Sequence, residues 1–266
     1  MCYSAMIEQD VKLLESRFGA IKVRASWDNY ESLRTADPPL PPLESRIYPG
    51  YFAPVVTVER NQHIVHLMKY SVEPPDFIND SRRYTSYNAR RDNLSSPFWS
   101  ECFRKHHGLV LLKVFFEWVA VKDLVKAGHV TLAAVKQEFD RQKDMRRDRL
   151  KAAGKPYRPT KAELTNPLFR KVVIEFKTAG GADLLTPVVY SRREGPTGHP
   201  HMGFAIVTDE PPPEVERAGH DRCPVFLKPE AAEQWLRGAA LPAEQLDELL
   251  AQRPLLTFDH QLSTAA

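Results

Sequence analysis

The chain has 266 residues, 42% of them apolar and 27% charged, with a net charge of +3. That balance belongs to a folded globular protein with one large core; it excludes a disordered chain and a protein that holds nucleic acid by bulk charge alone, leaving only a local basic patch open. Three widely spaced cysteines, Cys2, Cys102 and Cys223, make no disulfide framework and suit a reducing cytoplasm. The N-terminal stretch carries acidic residues and lacks a signal-peptide core, and no apolar run is long enough to span a membrane.

The chain opens Met1-Cys2. A small second side chain favours removal of Met1, which would leave Cys2 with a free α-amine beside its thiol. That aminothiol can condense with an aldehyde to an imine and then close a thiazolidine ring. The amine can also serve as a built-in base for the thiol, as in N-terminal-nucleophile enzymes. Both groups titrate within reach of neutral pH. The plain alternative is an incidental cysteine on a loose terminus.

Residues 5–18 read as a short amphipathic helix, with Ile7, Val11, Leu14 and Phe18 on one face. Such a helix would anchor the terminus. The proline-rich stretch 36–54 reads as a surface connection. Strand-like runs follow at Pro54–Val58 and His63–Met68, with Tyr51, Phe52 and Tyr70 nearby as core rings or as wedges for unstacked bases. Residues 80–93 are basic, with Arg82, Arg83, Arg90 and Arg91 crowding Asn88, either as a solvated loop or as a phosphate grip.

Residues 109–119, LVLLKVFFEWV, predict a central buried strand. Glu117 lies near its end between Phe116 and Trp118. If its carboxylate turns inward, desolvation raises its pKa and makes it a proton donor near neutral pH; if outward, it is an ordinary strand-end residue. Residues 121–165 are helical in the middle, heavily charged and basic in excess, the pattern of an exposed helix whose basic face could touch DNA. Strands resume at Lys171–Phe176, Pro187–Ser191 and Gly203–Thr208. His199 and His201 lack a partner at metal-ligand spacing and read as loop residues, so no metal or other cofactor is expected. Residues 209–227 hold His220, Arg222 and Cys223, residues 229–237 and 242–252 read as helices, and the tail after Phe258 has no pattern.

Dispersed pieces of this chain together resemble the SRAP family, the SOS response-associated peptidases. They are Met1-Cys2, Asn88-Ala89-Arg90, Phe116-Glu117-Trp118 and His220-Asp221-Arg222 followed by Pro224, with Ala53-Pro54 and Phe204–Thr208 in support. The resemblance implies one domain: an α+β fold around a curved, barrel-like, mainly antiparallel β-sheet with flanking helices, here with a charged helical insertion at about 121–165. It also implies covalent crosslinking to abasic sites in single-stranded DNA, through a thiazolidine on Cys2, by a monomer of the cytoplasm that joins the nucleoid when bound to DNA. Carried onto this sequence, Cys2 is the nucleophile, Asn88 orients it, Glu117 handles protons and His220 assists. Arg90, Arg222, Tyr70 and Pro54 would contact DNA. The family's usual MCGR is Met1-Cys2-Tyr3-Ser4 here, its RWGL is Lys69-Tyr70-Ser71-Val72, and its HxRMP ends in Cys223-Pro224. The rival readings are an N-terminal-nucleophile peptidase or amidase and a nucleic-acid-binding module without chemistry.

Overall fold

The computed structural model describes residues 4–35, 39–78, 86–181, 184–194 and 200–263. Cys2, Arg82, Arg83 and His199 lie outside them. In chain order the elements are β1 (Ser4–Ile7), α1 (Val11–Phe18), β2 (Ile21–Lys22), α2 (Arg24–Arg34), β3 (Arg46–Ile47), β4 (Phe52–Glu59), β5 (Gln62–Tyr70) and β6 (Asn88–Arg90). Next come α3 (Ser100–Lys105), β7 (His107–Ala120), α4 (Val121–Lys126), α5 (Leu132–Ala152), α6 (Lys161–Leu164), β8 (Lys171–Thr178), β9 (Leu184–Glu194) and β10 (Pro200–Asp209). The chain closes with α7 (Pro213–Arg217), β11 (Cys223–Pro224), α8 (Pro229–Leu236), α9 (Ala243–Ala251) and β12 (Phe258–Leu262).

Strands β10, β5, β4, β7 and β9 pair in that order and β9 returns to β10, which closes a five-stranded barrel. The remaining strands extend the same sheet, so the fold is mixed α+β as expected. Four of the five barrel contacts are antiparallel, and β10 with β5 is parallel. That closing contact is tight, because a side chain at Gly203 would collide with the backbone of Ser71.

Side chains alternate across the pleat, so each strand feeds two apolar layers. Val55, Met68, Val110, Val188 and Phe204, one from each barrel strand, belong to one buried cluster. The alternate residues Val56, Val65, Leu109, Val189 and Ala205 belong to a second, which Phe103 of α3, Trp235 of α8 and Leu249 of α9 cover. The Trp235 indole donates to the Gly108 carbonyl at 3.1 Å and pins α8 to β7.

The expected helix over 5–18 is half strand. Ser4–Ile7 pair with β7 and with β3. The helix starts only at Val11, where the Asp10 carboxylate accepts from the amides of Lys12 and Leu13. The strand, not the helix, therefore anchors the terminus. The tail is likewise ordered: β12 pairs with β8 from Phe258↔Thr178 to Leu262↔Ile174. The charged insertion leaves β7 at Val121 and returns at Arg170. The Val121 amide donates to the Arg170 carbonyl at 3.0 Å, and the flanking residues pair as Ala120↔Lys171. It is thus an excursion between two paired strands. Among the described residues no helix is long and apolar enough to cross a membrane.

Candidate active site

Strand β7 carries the site's acid. Its alternation puts Glu117 on the same face as Phe115 and Val119, both in the apolar interior cluster, and the Glu117 side chain is 0% exposed. The inward reading of this residue is the correct one. Burial pushes its carboxyl up to about 8, and nearby Asp221 adds in the same direction. At neutral pH Glu117 therefore holds its proton. The flanking Phe116 and Trp118 point to the other face; Phe116 is buried, while Trp118 is 39% exposed.

His220 meets Glu117 from the loop after α7, with Nε2 at 3.1 Å from Oε2. Gly219 makes this approach possible. Its φ of +86° suits glycine, and a Cβ there would come within 2.9 Å of both Asp123 Cβ and Val119 Cγ1. The His220 Nδ1 lies 2.8 Å from the Arg222 carbonyl and 3.3 Å from the Arg222 amide. The shorter contact assigns the ring proton to Nδ1, which donates to that carbonyl. Nε2 is then a bare acceptor facing the protonated Glu117. Burial also pushes the His220 imidazole down to about 4. Both partners are therefore uncharged at neutral pH and lie in close contact.

Asn88 stands on β6, which pairs with the last third of β10 from Ile206↔Asn88 to Thr208↔Arg90. Its Oδ1 accepts from the Tyr70 hydroxyl at 3.3 Å. Strand β11 joins the same end of β10, with Thr208↔Pro224. Asn88–Arg90 and the residues following His220 therefore flank one strand end. The two arginines converge there on Asp92: Arg90 donates to it through Nε at 3.0 Å, and Arg222 through a terminal nitrogen at 3.4 Å. The hydrogen bond from Arg90 holds the Asp92 carboxyl below its usual range, and the Arg222 charge adds to this. Arg91 points elsewhere and grips Asp247 with two nitrogens, each at 2.7 Å, which fastens α9.

Two expected DNA contacts are core residues instead. Tyr70 is fully buried, its ring stacked on Phe204 at 5.1 Å and edge-on to Tyr87 at 5.7 Å. Barrel closure through β5 and β10 leaves it no face for a base. Pro54 is buried within β4, opposite Leu67 of β5. Cys2 lies outside the described residues. Sequence reasoning missed Asp92 and Arg46. Arg46 sits in the stretch read as a plain connection, yet its Nε donates to Ser4 Oγ at 3.2 Å and its guanidinium lies 3.7 Å from the centre of the Phe116 ring. The acid two residues after Arg90 was the available signal for Asp92; only the three-dimensional pairing of β1 with β3 reveals Arg46.

A cavity of about 750 Å³ opens between α4 and α7 onto His220. Asp123, Glu210, Glu216 and Asp221 line it against Lys126 and Arg217. The acidic surplus suits a neutral polar ligand better than a phosphate. Among the described residues no three potential metal ligands gather, and His201 sits at the start of β10 with Glu73 at 3.9 Å.

The family model for SOS response associated peptidases (SRAP) matches residues 1–263. Among curated proteins, none matches the sequence. Three crystal structures share the fold at low identity. A Bordetella bronchiseptica protein has a TM-score of 0.61 at 12% identity, over 99% of this chain and 100% of that one. A Bacteroides thetaiotaomicron protein reaches 0.63 at 16% identity, over 99% and 93%. A phage-related protein from Bordetella bronchiseptica reaches 0.53 at 19% identity, over 83% and 82%.

Proposed function

The chain belongs to the SOS response-associated peptidase family, and from that membership and the buried acid–histidine pair we propose that it captures abasic sites in single-stranded DNA as a covalent adduct on Cys2. The observation that carries this reading is the 3.1 Å contact between His220 and a carboxyl that burial keeps protonated to about pH 8. Proton traffic at neutral pH is what imine and ring formation require.

Hydrolytic removal of Met1 frees the Cys2 amine. That amine attacks C1 of the ring-opened deoxyribose, forming a C–N bond and a carbinolamine. Glu117 gives its proton to the carbinolamine oxygen, which leaves as water. The thiol sulfur then adds to the imine carbon, and the thiol proton returns to the Glu117 carboxylate. The sum is aldehyde plus aminothiol giving thiazolidine plus one water. His220 stays neutral and positions the Glu117 carboxyl through Nε2 while Nδ1 stays bound to the Arg222 carbonyl. Asn88, uncharged and with both donors and an acceptor, orients the amine without changing its charge.

Chain reach supports the role of Cys2. Ser4 pairs with Phe116, the neighbour of Glu117. At about 3.6 Å per residue, the Cα of Cys2 is within about 7 Å of that of Ser4. Arg90 and Arg222 take phosphates on the flanking nucleotides, and the cavity beside His220 takes the sugar. An abasic nucleotide has no base to unstack, so exposing it costs little.

The reading is tested by mixing the protein with a single-stranded oligonucleotide holding one abasic site and resolving the products under denaturing conditions. A stoichiometric adduct with damaged DNA, none with undamaged DNA, and none stable with Cys2→Ala is the expected result. Cleavage of unrelated peptides with no adduct would favour the peptidase reading instead.

A further inference from the structure

We propose that the tip of the helical arm, residues 141–161, is a second contact for nucleic acid that grips backbone phosphates away from the reacting site. The identity of the polyanion as DNA rests on the function proposed above; the charge and geometry do not. The tip holds nine basic residues against two acidic ones, a net +7, whereas the whole chain carries +3. The other 245 residues are therefore net −4. The molecule's positive potential is concentrated on this one projection.

The tip is a built surface and not a loose basic run. α5 spans 21 residues, of which only Val135 is buried. It lacks the apolar stripe that a membrane or a partner helix would need. Beyond it the chain folds back and is locked. Arg146 donates to both Glu163 oxygens, at 3.0 and 3.2 Å, and to the Arg158 carbonyl at 3.1 Å, with its guanidinium 5.3 Å from the Tyr157 ring centre. Thr160 and Glu163 close a capping box on α6. Arg170 covers Phe139 at 4.3 Å and donates to the carbonyls of Thr165 and Glu163.

Three of the tip's cations are neutralised within this frame: Arg141 by Glu138, Arg146 by Glu163 and Arg147 by Asp144. Lys143, Arg149, Lys151, Lys155, Arg158 and Lys161 are exposed and, among the described residues, have no carboxylate within 4.0 Å. A fold that merely solvated its arm would intersperse both signs. Unpaired cations on a rigid support fit a regular row of phosphates.

The arm's root adjoins the candidate site. α4 follows β7 directly, and Asp123 packs on Gly219 beside His220. α5 is about 30 Å long at about 1.5 Å per residue. The tip can therefore meet phosphates roughly nine nucleotides from the root along a stacked strand at about 3.4 Å per nucleotide. A six-nucleotide strand held at the site spans about 20 Å and cannot reach the tip's far end from Arg149 on, whereas one of about 25 nucleotides can.

The test compares the wild type with an Arg149→Gln, Lys151→Gln, Lys155→Gln variant, using undamaged single strands of six and 25 nucleotides. None of these residues belongs to the candidate active site. Wild type should prefer the longer strand beyond the simple gain in site number, and the variant should lose about tenfold in affinity for it with a salt slope shallower by about two. Binding of the six-nucleotide strand should be unchanged. A charge-keeping version, Arg149→Lys, Lys151→Arg and Lys155→Arg, should bind as wild type. Equal affinity and salt slope for wild type and the Gln variant, or no binding of either strand by wild type, would overturn the proposal. Adduct formation is read separately on an abasic strand at saturation, where the Gln variant should match wild type. Absence of any adduct there would sink the proposed chemistry while the salt slopes still decide the arm.

Discussion

Glu117 is acidic only in name at neutral pH, because its buried place on β7 offers its charge no water. The held proton has two measurable consequences. Glu117→Gln keeps the shape but cannot move a proton, so adduct formation at saturation should slow by about 10²–10⁴. Unchanged rates would assign Glu117 to structure alone. The second consequence concerns stability. The folded-state pKa of about 8 lies above the usual 4.5, so the unfolded chain releases this proton first as pH rises. Between those values the native state should lose about 1.4 kcal/mol per pH unit relative to Glu117→Gln. His220 works in the opposite sense below its unfolded value of 6.5, since its folded pKa is depressed to about 4. The cleanest window is therefore pH 6.5–8, where denaturation midpoints should fall for wild type and stay flatter for the variant. Parallel curves would mean that Glu117 ionises as an ordinary surface carboxylate.

Asp92 is the other residue whose charge decides behaviour. It bridges Arg90 and Arg222, the two residues proposed above to take phosphates. Arg90→Ala and Arg222→Ala should each weaken adduct formation at low DNA concentration, with recovery at saturation. Asp92→Asn should instead tighten binding at low salt and steepen its salt dependence, since it leaves both cations without their internal counter-charge. Weaker binding by Asp92→Asn would give this carboxylate an organising role in place of a competing one.

At the scale of elements, β1 shows why position in the chain matters. It lies between β7 and β3, and Arg46 on β3 ties its first described residue to the face of Phe116. A cation over a ring is worth about 0.5–2 kcal/mol. Arg46→Ala should therefore cost about that much stability and slow adduct formation at saturating DNA by loosening the strand that leads to Cys2. A variant with lowered stability but the wild-type rate would separate β1 from the chemistry.

The same strand marks the limit of what the sequence made legible. FFEW and the strand-like runs Lys171–Phe176, Pro187–Ser191 and Gly203–Thr208 are readable because their apolar residues are local, and they fall within β8, β9 and β10. Residues 5–18 were misread because Ile7 and Val11 fit a helical spacing, while the pairing of Ser4–Ile7 with a strand more than a hundred residues away leaves no local trace. β12 was missed for the same reason, being a short edge strand whose partner is β8. Tyr70 looked like a base-stacking ring because nothing in its neighbourhood announces the β5–β10 closure that buries it. Glu117 and His220 were legible as types in a pattern, but their mutual contact was not.

For the whole molecule, the fold separates two charge environments. The buried pair and the acidic cavity lie at one place, while the positive surplus stands out on the arm. The barrel brings the ends of β1, β6, β7, β10 and β11 to this region from positions spread along the chain, which is why the family's motifs are dispersed. In the proposed chemistry they converge on a free α-amine next to a thiol, a property of the terminus and of no internal residue. The decisive measurement is intact mass after mixing abasic single-stranded DNA with the protein and, in parallel, with a form carrying one extra residue ahead of Cys2. The processed protein should start at Cys2 and gain the mass of the DNA less one water, in an adduct that survives denaturation. The extended form, with its thiol intact but its amine blocked, should gain nothing stable. A stable adduct on the extended form at the full rate would contradict an aminothiol mechanism and point to simple cysteine alkylation.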